Sequence, residues 1–392
     1  MPLLQQIRLE NLLSFGPGTP VLELRPLNVL IGPNGVGKSN LIEAISLLKE
    51  ATRNLADAVR GSGGIRDWIW RGSNHWDRSV VSAWIVFDNL QYPLWHRFGF
   101  QEQEQQFRLV EEHVVIDGPL QDAYRPPEDI LYDFQNGVSP VIRNTNEQVT
   151  KLDYVANERH RSILSQVRDQ TQYPEVTFIG EQYEQIRLYR EWSFGRTTPA
   201  RLPQKADGRS DYLESDCSNL GMVLNRIRRD PVQKEQLIER LNDLYPDIKD
   251  VDVSIEGGTV QVFLTEGKFA MPATRLSDGT LRYLCLLAIL LHPTPPPLIC
   301  IEEPELGLHP DVMPAIGKLL KQASERTQLI VTTHSEVLVD SLSDSPEDVV
   351  VCEKHDGCTT FNRLDADRLK VWLEEYTLGT LWRRGDLGGN RW

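Results

Sequence analysis

Eight residues near the amino terminus restrict what this chain can fold into more than any other feature of its sequence. Residues 32–39 read GPNGVGKS and fit the pattern G-x-x-x-x-G-K-[ST]. They follow an apolar run at 27–31 and precede a helical pattern at 38–49. Glycines let such a loop wrap a phosphate without a Cβ clash, and its N–H groups point inward as an anion nest. The run therefore predicts a phosphate-binding loop between a strand and a helix.

The loop and the first turn of this helix contain the groups that a nucleoside triphosphate needs. The Lys38 ammonium can reach the β- and γ-phosphates, and the Ser39 hydroxyl can ligate Mg²⁺. The amino terminus of the helix adds its partial positive charge. We therefore predict ATP and Mg²⁺ as cofactors. The predicted nucleotide-binding residues are Asn34, Gly35, Val36, Gly37, Lys38, Ser39 and Asn40.

Two adjacent carboxylates follow an apolar run in the second half of the chain. Residues 298–304 read LICIEEP, which predicts a buried strand with Glu302 and Glu303 at its carboxyl end. Ligands of α/β sheets bind at that end of the strands. Glu302 is placed to hold Mg²⁺, and Glu303 is placed to accept a proton from an attacking water. The pair predicts the metal and general-base positions of a hydrolysis.

A third motif, LSDGTLR at residues 276–282, stands at the start of a predicted helix. It resembles the L-S-G-G-Q-like signature of ABC-type ATPases, including SMC and RecF proteins. The order of the motifs also matches that family. The loop and signature are followed by the Glu-Glu strand end, an ELGLHP turn at 305–310 and Thr333-His334. Within the family, the chain resembles most closely the compact bacterial AAA-family ATPases of anti-phage systems, such as the overcoming-lysogenisation-defect type.

This resemblance implies an active site shared between subunits. Ser277 and Gly279 would contact the γ-phosphate of ATP bound to a second subunit, because a helix amino terminus is an anion site. Two heads would then sandwich two ATP molecules, as a homodimer or a larger oligomer. His334 would contact the γ-phosphate and the attacking water. The implied catalytic residues are Lys38, Glu303 and His334, and the implied metal ligands are Ser39 and Glu302.

The sequence also departs from the family pattern. Glu302 stands where the family usually has Asp, which predicts longer or water-mediated metal coordination. Asp278 and Thr280 replace the usual Gly and Gln of the signature, which weakens the expected contact between subunits. The glutamine of a Q-loop is not assigned, and Gln91 and Gln103 remain alternatives.

Hydrophobic periodicity places these motifs in a fold. We predict an ABC-type P-loop ATPase head of the α/β class, with a mixed, largely parallel sheet flanked by helices, an antiparallel β subdomain and a helical insertion. The N-terminal half of the head would comprise residues 1–150, the insertion 151–245, and the C-terminal half with the tail 246–392. An antiparallel meander is predicted over 80–116 and a hairpin around Gly257-Gly258. Helices are predicted at 156–169, 219–229, 231–244, 279–291 and 310–323.

Charge and composition narrow the choice of partners. The chain of 392 residues has a formal net charge of −14, which makes nucleic-acid binding over its whole surface improbable without excluding a local patch. One basic stretch interleaved with aromatic residues fits either an ordinary solvated surface or a nucleic-acid contact. Its members are Arg187, Tyr189, Arg190, Trp192, Phe194, Arg196, Arg201, Lys205 and Arg209.

The functional hypothesis is an ATPase whose paired heads close around ATP in a DNA-linked bacterial defence complex. We expect a nuclease-like partner effector, because no separate acidic cluster of the nuclease type is present. Double-stranded DNA is a further candidate partner. The alternative is a RecF-like repair or recombination ATPase. A transporter subunit is disfavoured because 239 residues separate Lys38 from Ser277, against about 100 expected from the transporter resemblance. No apolar run reaches the length of a membrane span and no signal peptide is recognised, so we expect a cytoplasmic protein.

Overall fold

The computed structural model describes residues 2–72, 78–87, 90, 92–116, 129–135, 138–152 and 160–389. Its strands, in chain order, are β1 (Leu4–Glu10), β2 (Leu22–Glu23), β3 (Leu27–Ile31), β4 (Ser79–Ile85), β5 (Leu94–Gln103), β6 (Gln106–Ile116), β7 (Ile130–Gln135), β8 (Val141–Arg143), β9 (Val149–Lys151), β10 (Arg187–Tyr189), β11 (Gln204–Lys205), β12 (Ile248–Glu256), β13 (Thr259–Glu266), β14 (Phe269–Pro272), β15 (Leu298–Glu302), β16 (Gln328–Thr332), β17 (Val349–His355) and β18 (Cys358–Arg363).

Helices alternate with these strands between residues 278 and 355. In chain order the helices are α1 (Lys38–Glu50), α2 (Leu55–Gly61), α3 (Ile65–Trp68), α4 (Pro174–Glu184), α5 (Leu220–Ile227), α6 (Pro231–Asn242), α7 (Asp278–Leu290), α8 (Met313–Ser324), α9 (Glu336–Asp340), α10 (Ala366–Leu373) and α11 (Leu378–Arg384).

The chain divides into two compact units. The first consists of Met1–Ile186, Val350–Arg363 and Gly388–Arg391. It contains an antiparallel sheet in the order β2-β1-β4-β5-β6-β7-β8-β9, so the predicted meander over 80–116 is confirmed as β4, β5 and β6. All five residues of β3 are buried, as expected for an apolar run that leads into the phosphate-binding loop. Helix α1 follows that loop and buries the apolar face that the sequence predicted.

The second unit consists of Arg187–Val349 and Leu364–Leu387. Strands β10, β15 and β16 pair in parallel in that order, so their carboxyl ends share one edge. The hairpin of β12 and β13 confirms the turn predicted at Gly257-Gly258. Helix α7 is buried over almost its whole length, which explains its apolar run. Helices α5, α6, α7 and α8 confirm the helices predicted at 219–229, 231–244, 279–291 and 310–323, the last after a short 3-10 turn.

The helix predicted at 156–169 is wrong within the described residues 160–169, which form only a 3-10 turn at Ile163–Ser165. Groups of this segment donate hydrogen bonds to the buried Glu112 carboxylate, and the segment does not form a helix. Ile163 N donates to Glu112 Oε2 at 2.9 Å, and the Ser162 hydroxyl bonds the other oxygen of the same carboxylate. His96 Nε2 lies 3.1 Å from that oxygen, and all these groups are buried. Leaving such a carboxylate without donors costs more than a turn of helix gains.

The described helices include none that is long and apolar enough to cross a membrane. The division into segments 1–150, 151–245 and 246–392 stays a prediction. The helix α4, which the sequence pattern did not predict, begins at Pro174 within the proposed insertion. Proline is well suited to this first helical position because its missing N–H would have no intrahelical partner there.

Candidate active site

The phosphate-binding loop of the first unit holds its lysine against its own backbone. Lys38 Nζ donates to the carbonyl oxygens of Gly32 at 2.7 Å and Pro33 at 3.0 Å. The side chain is buried, so these bonds satisfy a charge that would otherwise be costly. The Lys38 ammonium can also exchange its bonds to these two carbonyls for bonds to phosphate oxygens.

Two glycines of the loop are required by their positive φ and by close neighbours. Gly32 has φ of 141°, and a Cβ there would overlap the carbonyl oxygen of Cys352. Gly37 has φ of 106°, and a Cβ there would overlap the hydroxyls of Ser14 and Thr359. Both backbone conformations are ones that L side chains rarely adopt. The loop is therefore shaped by its neighbours and not by its own sequence alone.

Hydrogen bonds among Ser14, Thr359 and Asn40 hold the loop in place, and we call these three residues the hydroxyl bracket. Thr359 Oγ1 lies 2.6 Å from Val36 O and 2.6 Å from Ser14 Oγ, and Thr359 N donates to Ser14 O at 2.8 Å. Asn40 Nδ2 donates to Ser14 Oγ at 2.8 Å. The bracket thus joins the second half of the loop and the first turn of α1 to β18. No sequence motif marked Thr359 for this role.

The outer part of the loop is open. Gly35 has φ of 80°, and a Cβ there would meet no atom within 4 Å. The side chains of Asn34 and Ser39 are exposed. No side chain among the described residues caps the amino terminus of α1 at Gly37. Open glycine backbone, an uncapped helix terminus and Lys38 together fit a triphosphate, and the Ser39 hydroxyl is the kind of oxygen ligand that Mg²⁺ takes.

In the second unit, Glu303 occupies a strained backbone position directly after β15. Its φ is 46°, which is uncommon for a residue with a Cβ. Glu303 N donates to Thr332 O at 3.0 Å, so the neighbouring strand β16 holds the strained turn in place. Such outliers persist where the surroundings enforce them, and they concentrate at functional sites. The turn aims the Glu303 side chain toward His334, whose Nε2 lies 3.6 Å from Glu303 Oε1.

The half-buried carboxylate of Glu305 holds the backbone of the loop that contains His334. Glu305 Oε1 accepts hydrogen bonds from His334 N at 2.6 Å and from the Thr333 hydroxyl at 2.8 Å. Burial raises the pKa of the Glu305 carboxyl, and these hydrogen bonds partly oppose that shift. The contact ties the 305–310 turn to the loop after β16. The sequence marked this turn but gave Glu305 no role.

Glu302, the predicted metal ligand, ends β15 beside the end of β10. Arg190 Nε lies 3.5 Å from Glu302 Oε1, and Trp192 Nε1 donates to Glu302 O at 3.1 Å. The carboxylate is half-buried, and oxygen ligands of this kind suit Mg²⁺. The described residues contain no group of three or more His, Cys, Asp or Glu arranged to hold a metal ion. A magnesium ion at Glu302 would therefore need oxygens from its nucleotide, as is usual for this ion.

The signature residues form the amino terminus of α7. Ser277 is its N-cap: Ser277 Oγ accepts from Thr280 N at 3.1 Å. The Thr280 hydroxyl lies 2.7 Å from Ser277 Oγ and 2.5 Å from Tyr245 OH, and Ser277 remains exposed. A Cβ on Gly279 would lie 2.9 Å from Gly307 O, so the signature packs closely on the 305–310 turn. Ser277 and Gly279 are thus brought together at an exposed helix end.

Part of the basic and aromatic stretch turns inward. Tyr189, Phe194 and Arg201 are buried, so they cannot stack on a base or track a phosphate backbone from the surface. The stretch as a whole is therefore neither a continuous nucleic-acid contact nor an ordinary solvated surface. Its members Arg196, Lys205 and Arg209 are exposed, and for these three both predictions stay open. Of the two candidate Q-loop residues, Gln103 is the exposed last residue of β5, and Gln91 lies outside the described residues.

The fold and these motifs define the class. Two solved Smc head structures share the fold over nearly the whole chain. A Smc head bound to the C-winged helix domain of ScpA aligns with a TM-score of 0.57 and 14% identity, covering 94% of this chain and 99% of that one. A Smc head with an extended coiled coil, bound to the C-terminal domain of ScpA derived from Pyrococcus furiosus, aligns with a TM-score of 0.56 and 13% identity, covering 96% and 99%. The chain therefore has the fold of an SMC-type, ABC-type ATPase head, as predicted.

The sequence comparison gives the family. The profile of the family described as "AAA domain, putative AbiEii toxin, Type IV TA system" matches residues 27–77 and 127–340, which is more than half of the chain. The chain belongs to this family of P-loop ATPases. A chromosome partition protein Smc from Thauera aminoaromatica is 37% identical over 89 residues. That match spans 22% of this chain and 7% of the length of the Smc protein.

Proposed function

We propose that this chain is an ATP hydrolase. The observation that carries the proposal is the pair of Glu303 and His334, whose facing side chains are aimed by a strained turn at the carboxyl end of a parallel strand. Glu303 accepts a proton from the attacking water, and His334 orients that water and the γ-phosphate. Lys38 neutralises charge on the phosphates that the 32–39 loop binds.

Mg²⁺ supplies charge neutralisation at the phosphates when it is bound. Ser39 and Glu302 are the residues that would hold it. Arg190 positions the Glu302 carboxylate through the 3.5 Å ion pair. Because Glu is one methylene longer than the usual Asp, the pair with Arg190 gives the longer side chain a fixed direction.

We further propose that two copies close around two ATP molecules. Ser277 lies at the exposed amino terminus of α7 with Gly279 in its first turn, and helix amino termini attract anions. In the resemblance to ABC-type ATPases, this terminus contacts the nucleotide of the other copy. Light scattering of Glu303→Gln should show a monomer without ATP and a dimer with ATP. Ser277→Arg in the same background should remain monomeric, whereas the exposed control Ser215→Arg should dimerise; an ATP-independent mass would refute the arrangement.

For the biological role, we propose a cytoplasmic, DNA-linked defence complex in which the ATPase controls a partner effector such as a nuclease. Two findings support this proposal. The family description names a putative toxin of a type IV toxin–antitoxin system, and two similar Smc heads were solved bound to a domain of ScpA. Cells expressing the chain with its genomic neighbours should resist phage plating, and Lys38→Ala should abolish that resistance. Equal plating with and without the neighbours would count against the defence role.

A second candidate is a RecF-like ATPase of DNA repair or recombination. It is favoured by the local identity to a chromosome partition protein. The two candidates differ in what stimulates hydrolysis. A rate that rises strongly with double-stranded DNA alone favours the repair role, and a rate that responds only to a partner protein favours the effector complex. A transporter subunit is the least favoured, given the long separation of Lys38 and Ser277.

A further inference from the structure

One segment of the second unit contacts both the carboxylate strand end and the signature helix. It runs from residue 190 to residue 201, and we call it the strap. The strap leaves β10, whose Tyr189 is in register with Ile301 of β15. Arg190 therefore comes level with Glu302, where its Nε lies 3.5 Å from Oε1. Trp192 Nε1 adds a hydrogen bond of 3.1 Å to Glu302 O, so the strap grips both the side chain and the backbone of Glu302.

The middle of the strap holds an arginine of the signature helix. The guanidinium carbon of Arg282, on α7, lies 5.4 Å from the ring centroid of Trp192 and 5.5 Å from that of Phe194. Both distances are within the range of a cation–π contact. The same guanidinium donates to Glu303 O at 3.5 Å. Arg282 is buried, so these partners are what compensates for its lost hydration.

The last residue of the strap, Arg201, contacts the amino terminus of α7. Arg201 donates to Leu276 O at 2.5 Å and to Phe194 O at 3.0 Å. It also pairs with Asp278 Oδ1 at 2.5 Å. The Arg201 side chain is 8% exposed, whereas that of Asp278 is 71% exposed. Asp278, which replaces the usual Gly of the signature, therefore links the amino terminus of α7 to a buried arginine of the same chain.

We propose that the strap is a positioning element that couples the signature helix to the hydrolytic carboxylates. The inference rests on the proposed function. When Ser277 engages the nucleotide of a second copy, a shift of the α7 terminus is carried through Asp278–Arg201 and through Arg282 to the backbone of Glu302 and Glu303. The general base then reaches its working position only when the signature is engaged. The strap residues touch no reacting atom and act through Glu303.

Two mild substitutions test the coupling, since Arg201 and Arg282 are too buried to remove without risk to folding. Asp278→Ala removes an exposed carboxylate, and Trp192→Phe keeps the ring but removes the bond to Glu302 O. The control Asp344→Ala removes a comparably exposed carboxylate whose partner is Lys321, away from the strap. We would measure kcat for ATP hydrolysis, Kd for ATP, and thermal unfolding for each variant and for the Asp278→Ala/Trp192→Phe double variant.

The strap predicts that each single variant lowers kcat about tenfold, as expected when a catalytic group is misplaced by a fraction of an ångström. The Kd for ATP should stay within about twofold of the parent and the control should match the parent. Because both residues act through one element, the double variant should lose little more than the worse single one. Unchanged kcat in both singles, or multiplied losses in the double, would overturn the strap. A parent without Lys38-dependent hydrolysis would instead overturn the proposed function on which it rests.

Discussion

His334 Nε2 lies 3.6 Å from Glu303 Oε1, and each of the two side chains is 34% exposed. Hydrogen bonds hold the backbone of both residues in place. The backbone of Glu303 is held at φ of 46° by its bond to Thr332, and the backbone of His334 is held by Glu305. Two side chains that face each other from fixed backbones, with one side still open to water, have the arrangement that a general base and its orienting partner need.

Replacing Glu303 with Gln should slow hydrolysis and leave binding intact. The amide keeps the shape of the side chain but cannot take a proton, so kcat should fall by about 100-fold or more. The Kd for ATP, measured by isothermal titration calorimetry, should stay close to that of the parent. The matched control Glu325→Gln changes an exposed glutamate and should keep the parental kcat. Parental turnover by Glu303→Gln would remove this residue from the base role.

Replacing Lys38 with Ala should abolish measurable ATP binding. The loop loses the one ammonium that its own carbonyls hold at 2.7 Å and 3.0 Å. Lys49→Ala, at the other end of α1, is the control and should bind ATP like the parent, because its loss affects only the last turn of that helix. Equal affinities of parent and Lys38→Ala would contradict the assignment of the loop.

Replacing Thr359 with Val should loosen the phosphate-binding loop. The side chains have the same shape, but Val36 O loses its hydroxyl partner, which costs about 1–3 kcal/mol for a buried group. Affinity for ATP should fall about fivefold or more, and the melting temperature should fall with it. The neighbouring Thr360→Val on the same strand should change neither quantity appreciably. Parental affinity in Thr359→Val would show that the bracket does not support the loop.

Replacing Glu305 with Gln should change how stability depends on pH. Burial raises the pKa of the Glu305 carboxyl above 4.5, and the Glu303 carboxylate adds to this. A group with a raised pKa contributes stability that is complete below its unfolded value and is lost as pH rises through its folded value. The free energy of unfolding of the variant should therefore gain on that of the parent as pH rises through this window. The gain is about 1.4 kcal/mol for each unit by which the pKa is raised. Urea unfolding at several pH values measures it, and a difference that is constant with pH would contradict the burial effect.

The sequence predicted those parts of the site whose chemistry lies in contiguous residues. The 32–39 loop, the two carboxylates after β15 and the signature are each local motifs, and each lies where its flanking strand or helix was predicted. Thr359 could not be found in this way, because it is separated from Ser14 by 345 residues and belongs to no motif. Its role exists only because β18 passes beside the loop.

Burial explains the other differences. The pattern at 156–169 is helical by periodicity, but Glu112 requires donors from Ser162 and Ile163, and tertiary demand outweighs local propensity. Burial also explains why the basic stretch is not exposed as a whole. Charge and aromatic content are visible in a sequence, but the inward direction of Arg201 and Phe194 is not. Net charge and composition say nothing about which arginines are exposed.

The most direct test of the account is the steady-state release of phosphate from ATP by the purified chain, compared with Lys38→Ala prepared in the same way. We predict Mg²⁺-dependent hydrolysis by the parent and none above background by Lys38→Ala, because in the proposed function the loop binds the ATP that Glu303 and His334 hydrolyse. Hydrolysis at the same rate by both proteins would contradict the proposed function. So would a parent that binds ATP but does not hydrolyse it, whether assayed alone or with DNA or a partner protein.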